Sequence, residues 1–111
     1  MAGDVGLQGG DSSQVGGNIN LSAGAGAVEG GSLVFFGGSS SGNGIAGNVN
    51  VTAGDNENNM GGSVRISGGT SNFGVGGDVM LMTGSSGTGT SGSLYLASEV
   101  SNTSGSLYLS S

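Results

Sequence analysis

The chain has 111 residues and a formal net charge of −6, with one basic residue and no histidine, cysteine or proline. Glycine, serine, asparagine and threonine make up more than half of it, and 28 residues are glycine. The length allows one domain, but so few large apolar side chains cannot fill an ordinary globular core. The composition therefore indicates either a disordered linker or an elongated repeat with a thin core.

Charge and cysteine usage exclude several classes of function. Arg65 is the single basic residue, and the acids are Asp4, Asp11, Glu29, Asp55, Glu57, Asp78 and Glu99. Nucleic acids and anionic membrane surfaces are both bound through clustered Lys or Arg, and no apolar run approaches the ~18 residues of a membrane span. We therefore expect no nucleic-acid partner and no membrane insertion. Without cysteine there are no disulfides and no thiolate chemistry.

The N-terminal residues carry no targeting signal. The start, Met1-Ala2-Gly3-Asp4, lacks the basic and apolar regions of a signal peptide. If the natural protein is secreted, we expect its leader to lie outside this chain.

A glycine followed by a polar and then an apolar residue recurs along the whole chain. These glycines begin units of ~15 residues, which is the spacing of a repeat array, at Gly3, Gly17, Gly31, Gly47, Gly62, Gly77, Gly92 and Gly105. Each unit opens with two apolar residues separated by one other, which predicts a strand with one buried face. The pairs are Val5/Leu7, Ile19/Leu21, Leu33/Phe35, Val49/Val51, Val64/Ile66, Val79/Leu81, Leu94/Leu96 and Leu107/Leu109.

The rest of each unit is rich in glycine and predicts a turn. Most of these stretches carry one further apolar residue, predicted to plug the core: Val15, Val28, Ile45, Met60, Val75 and Val100. Glycine disfavours helix and suits corners with positive φ and close stacking.

A longer period of about 30 residues is also present. Residues 17–24 and 47–54 are nearly identical, and strands end alternately in paired glycines, as at Gly9-Gly10, and in Ala-Gly or Thr-Gly, as at Ala23-Gly24. The predicted fold is therefore all-β, a parallel β-solenoid of ~15-residue strand-turn units with two strands per ~30-residue coil. One unit per coil is the alternative. Residues 1–111 are expected to form a single repeat domain, uncapped at both ends, that belongs to a longer array or stacks end to end.

Alternation assigns the outward side chains of the predicted sheets. One set forms a candidate flat polar surface or a ladder that only stabilises the stack: Asn18, Asn20, Ser22, Asn48, Asn50 and Thr52. A second set forms a candidate apolar contact patch, or else packs within one sheet face: Phe36, Met80, Met82, Tyr95 and Tyr108.

Other motifs point to modification or give no site. Candidate N-glycosylation sites begin at Asn20, Asn50 and Asn102, of which Asn102 lies in a predicted loop and is the best acceptor. Residues 55–59 gather oxygen ligands, but they match no calcium-binding spacing, and a solvated turn is the favoured interpretation. We expect no metal and no cofactor. With no histidine, cysteine or lysine and no base beside any serine, we do not expect an enzyme.

The unit Gly-[Asp/Asn/Ser]-[Val/Ile/Leu]-x-[Val/Leu], followed by a Gly/Ser stretch, resembles the Gly/Ser-rich tandem repeats of secreted surface, fibre and adhesin proteins. This resemblance implies an extracellular or cell-surface scaffold, and self-association as the partner interaction. Ice-binding plant solenoids look similar in composition and supply an alternative function, although Asp78, Met80 and Met82 interrupt the polar row. Carbohydrate binding by Phe36, Tyr95 and Tyr108 is a further alternative.

Overall fold

The computed structural model describes residues 2–111, and across them the chain contains no helix and no β-strand. The backbone consists of extended segments separated by sharp changes of direction. These bends lie at residues 13–14, 27–28, 41–44, 57–59, 72–74, 87–89 and 101–103. The chain divides into two units, the first ending at Thr52 and the second being Ala53–Ser111. The first unit contains three bends and the second contains four.

The prediction of a parallel β-solenoid is wrong for this structure. A strand exists only where its backbone pairs with a neighbouring strand, and no extended segment of residues 2–111 is paired in this way. The alternation of apolar residues is real, but alternation only states which side chains share a face. The coils, facing sheets and strand stacking expected from it are not formed.

The predicted thin core is also absent. No side chain of residues 2–111 is buried, and Ile19, Val49 and Val79, which were expected to face inward, are 49–55% exposed. The predicted plugs are more exposed still, at 83–98%. The accessible surface is 11340 Å², whereas a folded monomer of 10.4 kDa exposes about 5,400 Å². The chain therefore leaves roughly twice the usual surface in contact with water.

Each of six loops is closed at its base by one backbone hydrogen bond of 2.7–2.9 Å. In every case a glycine N–H donates to the carbonyl oxygen of an earlier glycine: Gly17 to Gly10, Gly31 to Gly24, Gly47 to Gly38, Gly62 to Gly54, Gly77 to Gly69 and Gly92 to Gly84. We call each such pair a loop neck. The six donors are six of the glycines that begin the sequence repeats. The repeat therefore marks the place where the chain returns after each loop.

Apolar residues just after a neck are less exposed than apolar residues in the loops. The first apolar residue after each return, such as Ile19 after Gly17, is about half covered, whereas loop residues such as Val28 and Ile45 are at least 95% exposed. Val5, which has no neck before it, is 93% exposed although it has the same place in its repeat. Leu107, which likewise has no neck before it, is 55% exposed, so the partial cover of these side chains does not depend on the neck alone.

The necks of the first, third and fifth loops require glycine for steric reasons. A Cβ added to Gly9 would collide with the carbonyl oxygen of Gly17, and the same holds for Gly37 against Gly47 and for Gly68 against Gly77. No glycine in residues 2–111 has a positive φ. The expected use of glycine for left-handed corners is therefore wrong, and close backbone approach is what glycine provides here.

The alternate necks tolerate a side chain on one side. At the second neck a Cβ added to Gly31 would lie 3.3 Å from the Cβ of Ala23, and at the fourth a Cβ on Gly62 would lie 3.2 Å from that of Ala53. One methyl group fills the space that the opposite glycine leaves. The alternation of Gly-Gly with Ala-Gly or Thr-Gly in the sequence thus corresponds to two kinds of neck.

Within residues 2–111 there is no helix long and apolar enough to cross a bilayer.

The first neck can be tested with the neighbouring glycines Gly9 and Gly10, of which Gly10 supplies the carbonyl acceptor. A Cβ on Gly9 meets the Gly17 carbonyl, whereas a Cβ on Gly10 meets no atom within 4 Å. We expect Gly9→Ala to open the neck and speed exchange of the Gly17 amide hydrogen by several-fold, because a hydrogen bond contributes roughly 0.5–1.5 kcal/mol. The matched control, Gly10→Ala, should leave that rate nearly unchanged. Exchange followed by NMR makes the comparison, and equal rates in the two variants would contradict the neck geometry.

Candidate functional site

The extended segments present their backbone to solvent. Apart from the six neck bonds, no backbone-to-backbone hydrogen bond joins residues 2–111. Each peptide group carries a donor and an acceptor that need partners, and the backbone groups of the extended segments have no backbone partner within residues 2–111. Segments such as 18–23 and 48–53 therefore offer rows of unpaired N–H and C=O groups, which is the chemistry of an open strand edge.

Hydroxyl and amide side chains hold the bends. Ser71 Oγ accepts a hydrogen bond from the Gly74 N–H at 2.8 Å, and Ser86 Oγ accepts one from the Gly89 N–H at the same distance. Ser12 Oγ is 3.2 Å from the Gln14 nitrogen. In each case the acceptor directly precedes a bend. Short polar side chains commonly replace a backbone acceptor in this way, so part of the polar composition shapes the turns.

The oxygen-rich loop at residues 55–59 is organised by Asn56. Its Oδ1 accepts hydrogen bonds from the backbone N–H groups of Asn58, at 2.9 Å, and Asn59, at 2.6 Å. Asn59 Oδ1 in turn accepts from the Met60 N–H at 2.9 Å. Two of the oxygens considered for calcium are thus used by the loop's own backbone. No group of three or more acidic, histidine or cysteine side chains with metal-ligand geometry occurs in the described chain.

One further side-chain contact joins a segment to its loop. Gln8 Nε2 lies 3.3 and 3.4 Å from the two carboxylate oxygens of Asp11, and both residues are exposed. At these lengths the contact is weak. It orients the amide beside the first neck.

The residues predicted to form a flat polar surface all belong to the first unit and all are exposed: Asn18, Asn20, Ser22, Asn48, Asn50 and Thr52. They lie on two extended segments that are not paired as strands. Their alignment on one plane therefore remains a prediction.

The three candidate glycosylation sites are exposed. Asn102 lies in the bend at 101–103, whereas Asn20 and Asn50 lie on extended segments. A bend presents an asparagine more freely than a paired strand does, but in this structure the segments are unpaired as well. The preference for Asn102 remains a prediction that depends on how far the segments become paired.

The predicted apolar contact patch divides between the two units. Phe36 belongs to the first, and Met80, Met82, Tyr95 and Tyr108 belong to the second. Each is 73–88% exposed. They are accessible apolar side chains, and no pocket is present beside them or elsewhere in residues 2–111.

Two features escaped the sequence analysis. Phe73, in the middle of the bend at 72–74, is fully exposed, and a single aromatic residue in a glycine-rich loop falls outside the period-two pattern. The neck hydrogen bonds were not predicted either, although the glycines that begin the repeats include their donors. Each of those glycines can be paired with the glycine that ends the preceding segment. That pairing would have located the neck hydrogen bonds.

No family model matches the chain, and comparisons with curated proteins and with solved structures likewise gave no match.

The bend at 87–89 tests the role of the hydroxyl groups. Replacing Ser86 by Ala removes the acceptor of the Gly89 N–H, and we expect that amide to exchange several-fold faster, in keeping with about 1 kcal/mol for one hydrogen bond. Ser85→Ala is the matched control, because Ser85 makes no hydrogen bond within the described chain. NMR-detected exchange of Gly89 in both variants makes the test. An unchanged rate in Ser86→Ala would show that the hydroxyl does not shape the bend.

Proposed function

We propose that this chain is a structural scaffold protein, a repeat module of an extracellular or cell-surface fibre, coat or adhesin stalk that acts by self-association. The observation that supports this most directly is the 11340 Å² of accessible surface, which exceeds that of a folded monomer of this mass by roughly 6,000 Å². This surface is available for contact with other chains.

The spacing of the exposed apolar residues favours an assembly over a single ligand site. Burial of apolar surface drives most protein association, and contiguous exposed apolar patches mark interaction surfaces. From Ile19 to Leu109 every repeat contributes a pair of apolar residues that are 49–80% exposed. A ligand site would concentrate such groups in one place, whereas a scaffold repeats them.

The remaining chemistry of the chain is consistent with this role. The residues that alternate with the apolar pairs are mostly uncharged, and the single basic residue is Arg65. The exposed glycosylation motifs at Asn20, Asn50 and Asn102 suit a secreted location. No observation in the structure favours the ice-binding or carbohydrate-binding alternatives over a scaffold.

Self-association is tested on the purified full chain. Sedimentation velocity over a wide range of concentrations, with electron microscopy of the same samples, should show loss of monomer into fibres or sheets of regular width. A chain that stays monomeric at millimolar concentration under all conditions would refute the proposed function.

The net negative charge of the chain allows a second test of self-association. Copies with a net charge of −6 repel one another, and raising sodium chloride from 10 to 150 mM shortens the screening length from about 30 to about 8 Å. We therefore expect the critical concentration for assembly to fall as salt rises. In the variant Asp55→Asn/Glu57→Gln, which lacks two loop charges, the dependence should be weaker. Assembly that weakens with salt would contradict a role for charge repulsion.

A further inference from the structure

We propose that the partner that covers the extended segments is a second copy of the same chain, stacked so that each segment pairs in parallel and in register with its own counterpart. This inference rests on the proposed function, self-association, and adds the geometry of the contact.

The open backbone selects the kind of partner. Within residues 2–111 the only backbone-to-backbone hydrogen bonds are the six at the loop necks, so the segments between them have both edges free. A β-partner about 4.8 Å away satisfies these groups with direct hydrogen bonds. A partner that meets only the side chains would leave them unpaired. An added strand is therefore the contact that completes the segments.

The loops select the register. The neck bond joins residues 10 and 17 in the first loop, 38 and 47 in the third and 54 and 62 in the fourth, so the loops differ in length. In the first unit, a second copy shifted by one repeat would superpose the 24–31 loop on the longer 38–47 loop, and the segments beyond them would lose register. The loops of the second unit that have necks are of equal length, at 54–62, 69–77 and 84–92, so there the register depends on the side chains.

The side chains agree with that register. An unshifted copy places each apolar residue, such as Val49, on its own counterpart, and places Asn48 and Asn50 in amide ladders along the stack. The exposed apolar residues of the loops, such as Ile45 and Phe73, also gain an apolar neighbour. Apolar residues that a single chain leaves in water are thus covered without a facing sheet.

The chain carries few of the residues that prevent strand addition. Exposed edges are usually protected by proline, lysine or inward-facing charges, and this chain has no proline and a single basic residue, Arg65. Five of the seven acids lie between segments, namely Asp11, Glu29, Asp55, Glu57 and Glu99. Stacking brings the equivalent carboxylates of successive copies close together, and their repulsion opposes assembly. Most of the segments themselves carry no charge.

Spin labelling tests the register. Because the chain has no cysteine, Ser22→Cys in the first unit and Ser93→Cys in the second each give one labelling site, with little change in size. A nitroxide at each site should give an exchange-narrowed, single-line electron paramagnetic resonance spectrum in the assembled protein, because stacked labels lie about 4.8 Å apart. Mixing with a tenfold excess of unlabelled chain should restore three lines.

The outcomes separate the inference from the proposed function. Fibres whose labels show no narrowing at either site would refute in-register stacking and leave the scaffold role standing, whereas a wild-type chain that never assembles would refute both. If a labelled variant does not assemble, the mass per length of wild-type fibres decides. An integer multiple of about 2.2 kDa per Å, which is one 10.4 kDa chain per 4.8 Å layer, supports stacking, and any other value overturns it.

Discussion

The close approach of two backbones at each loop neck is the constraint on which the rest of the structure depends. The Gly17 N–H reaches the Gly10 carbonyl, for example, because the adjacent Gly9 carries no Cβ that would collide with the Gly17 carbonyl. The necks return the chain after six of its loops. Without them only the hydrogen bonds around individual bends would order this glycine-rich chain, and backbone entropy would favour a random coil.

The alternation of apolar residues along the sequence predicts only part of the fold. Apolar alternation at Ile19 and Leu21 places both side chains on one face, but it holds no information on what covers that face. A core inside the chain and a surface that awaits another chain have the same alternation. The β-solenoid interpretation assumed the first, and the structure shows the face about half exposed at Ile19. Composition pointed the other way, since too few large apolar residues were available to enclose a core.

The alternation of residues predicts which side chains of the candidate site are exposed, but it does not predict how those side chains are arranged in space. Exposed asparagines such as Asn20 and apolar residues such as Tyr95 can be assigned outward from alternation alone. Whether they align depends on strand pairing, which is a relation between segments distant in sequence. Local interactions are easier to foresee: Ser86 and Asn56 each precede a bend, and short polar side chains at such positions commonly cap a turn. The sequence therefore predicts the loops better than it predicts the segments between them.

Every neck hydrogen bond is formed between residues of the same loop, and no neck depends on another. Duplication or loss of one complete unit, from one returning glycine to the next, leaves all other necks with their donors and acceptors intact. The length of such a chain can thus change in steps during evolution without redesign of what remains. Differences in repeat number between related genes would then alter the dimensions of the assembled material while its local geometry stays the same.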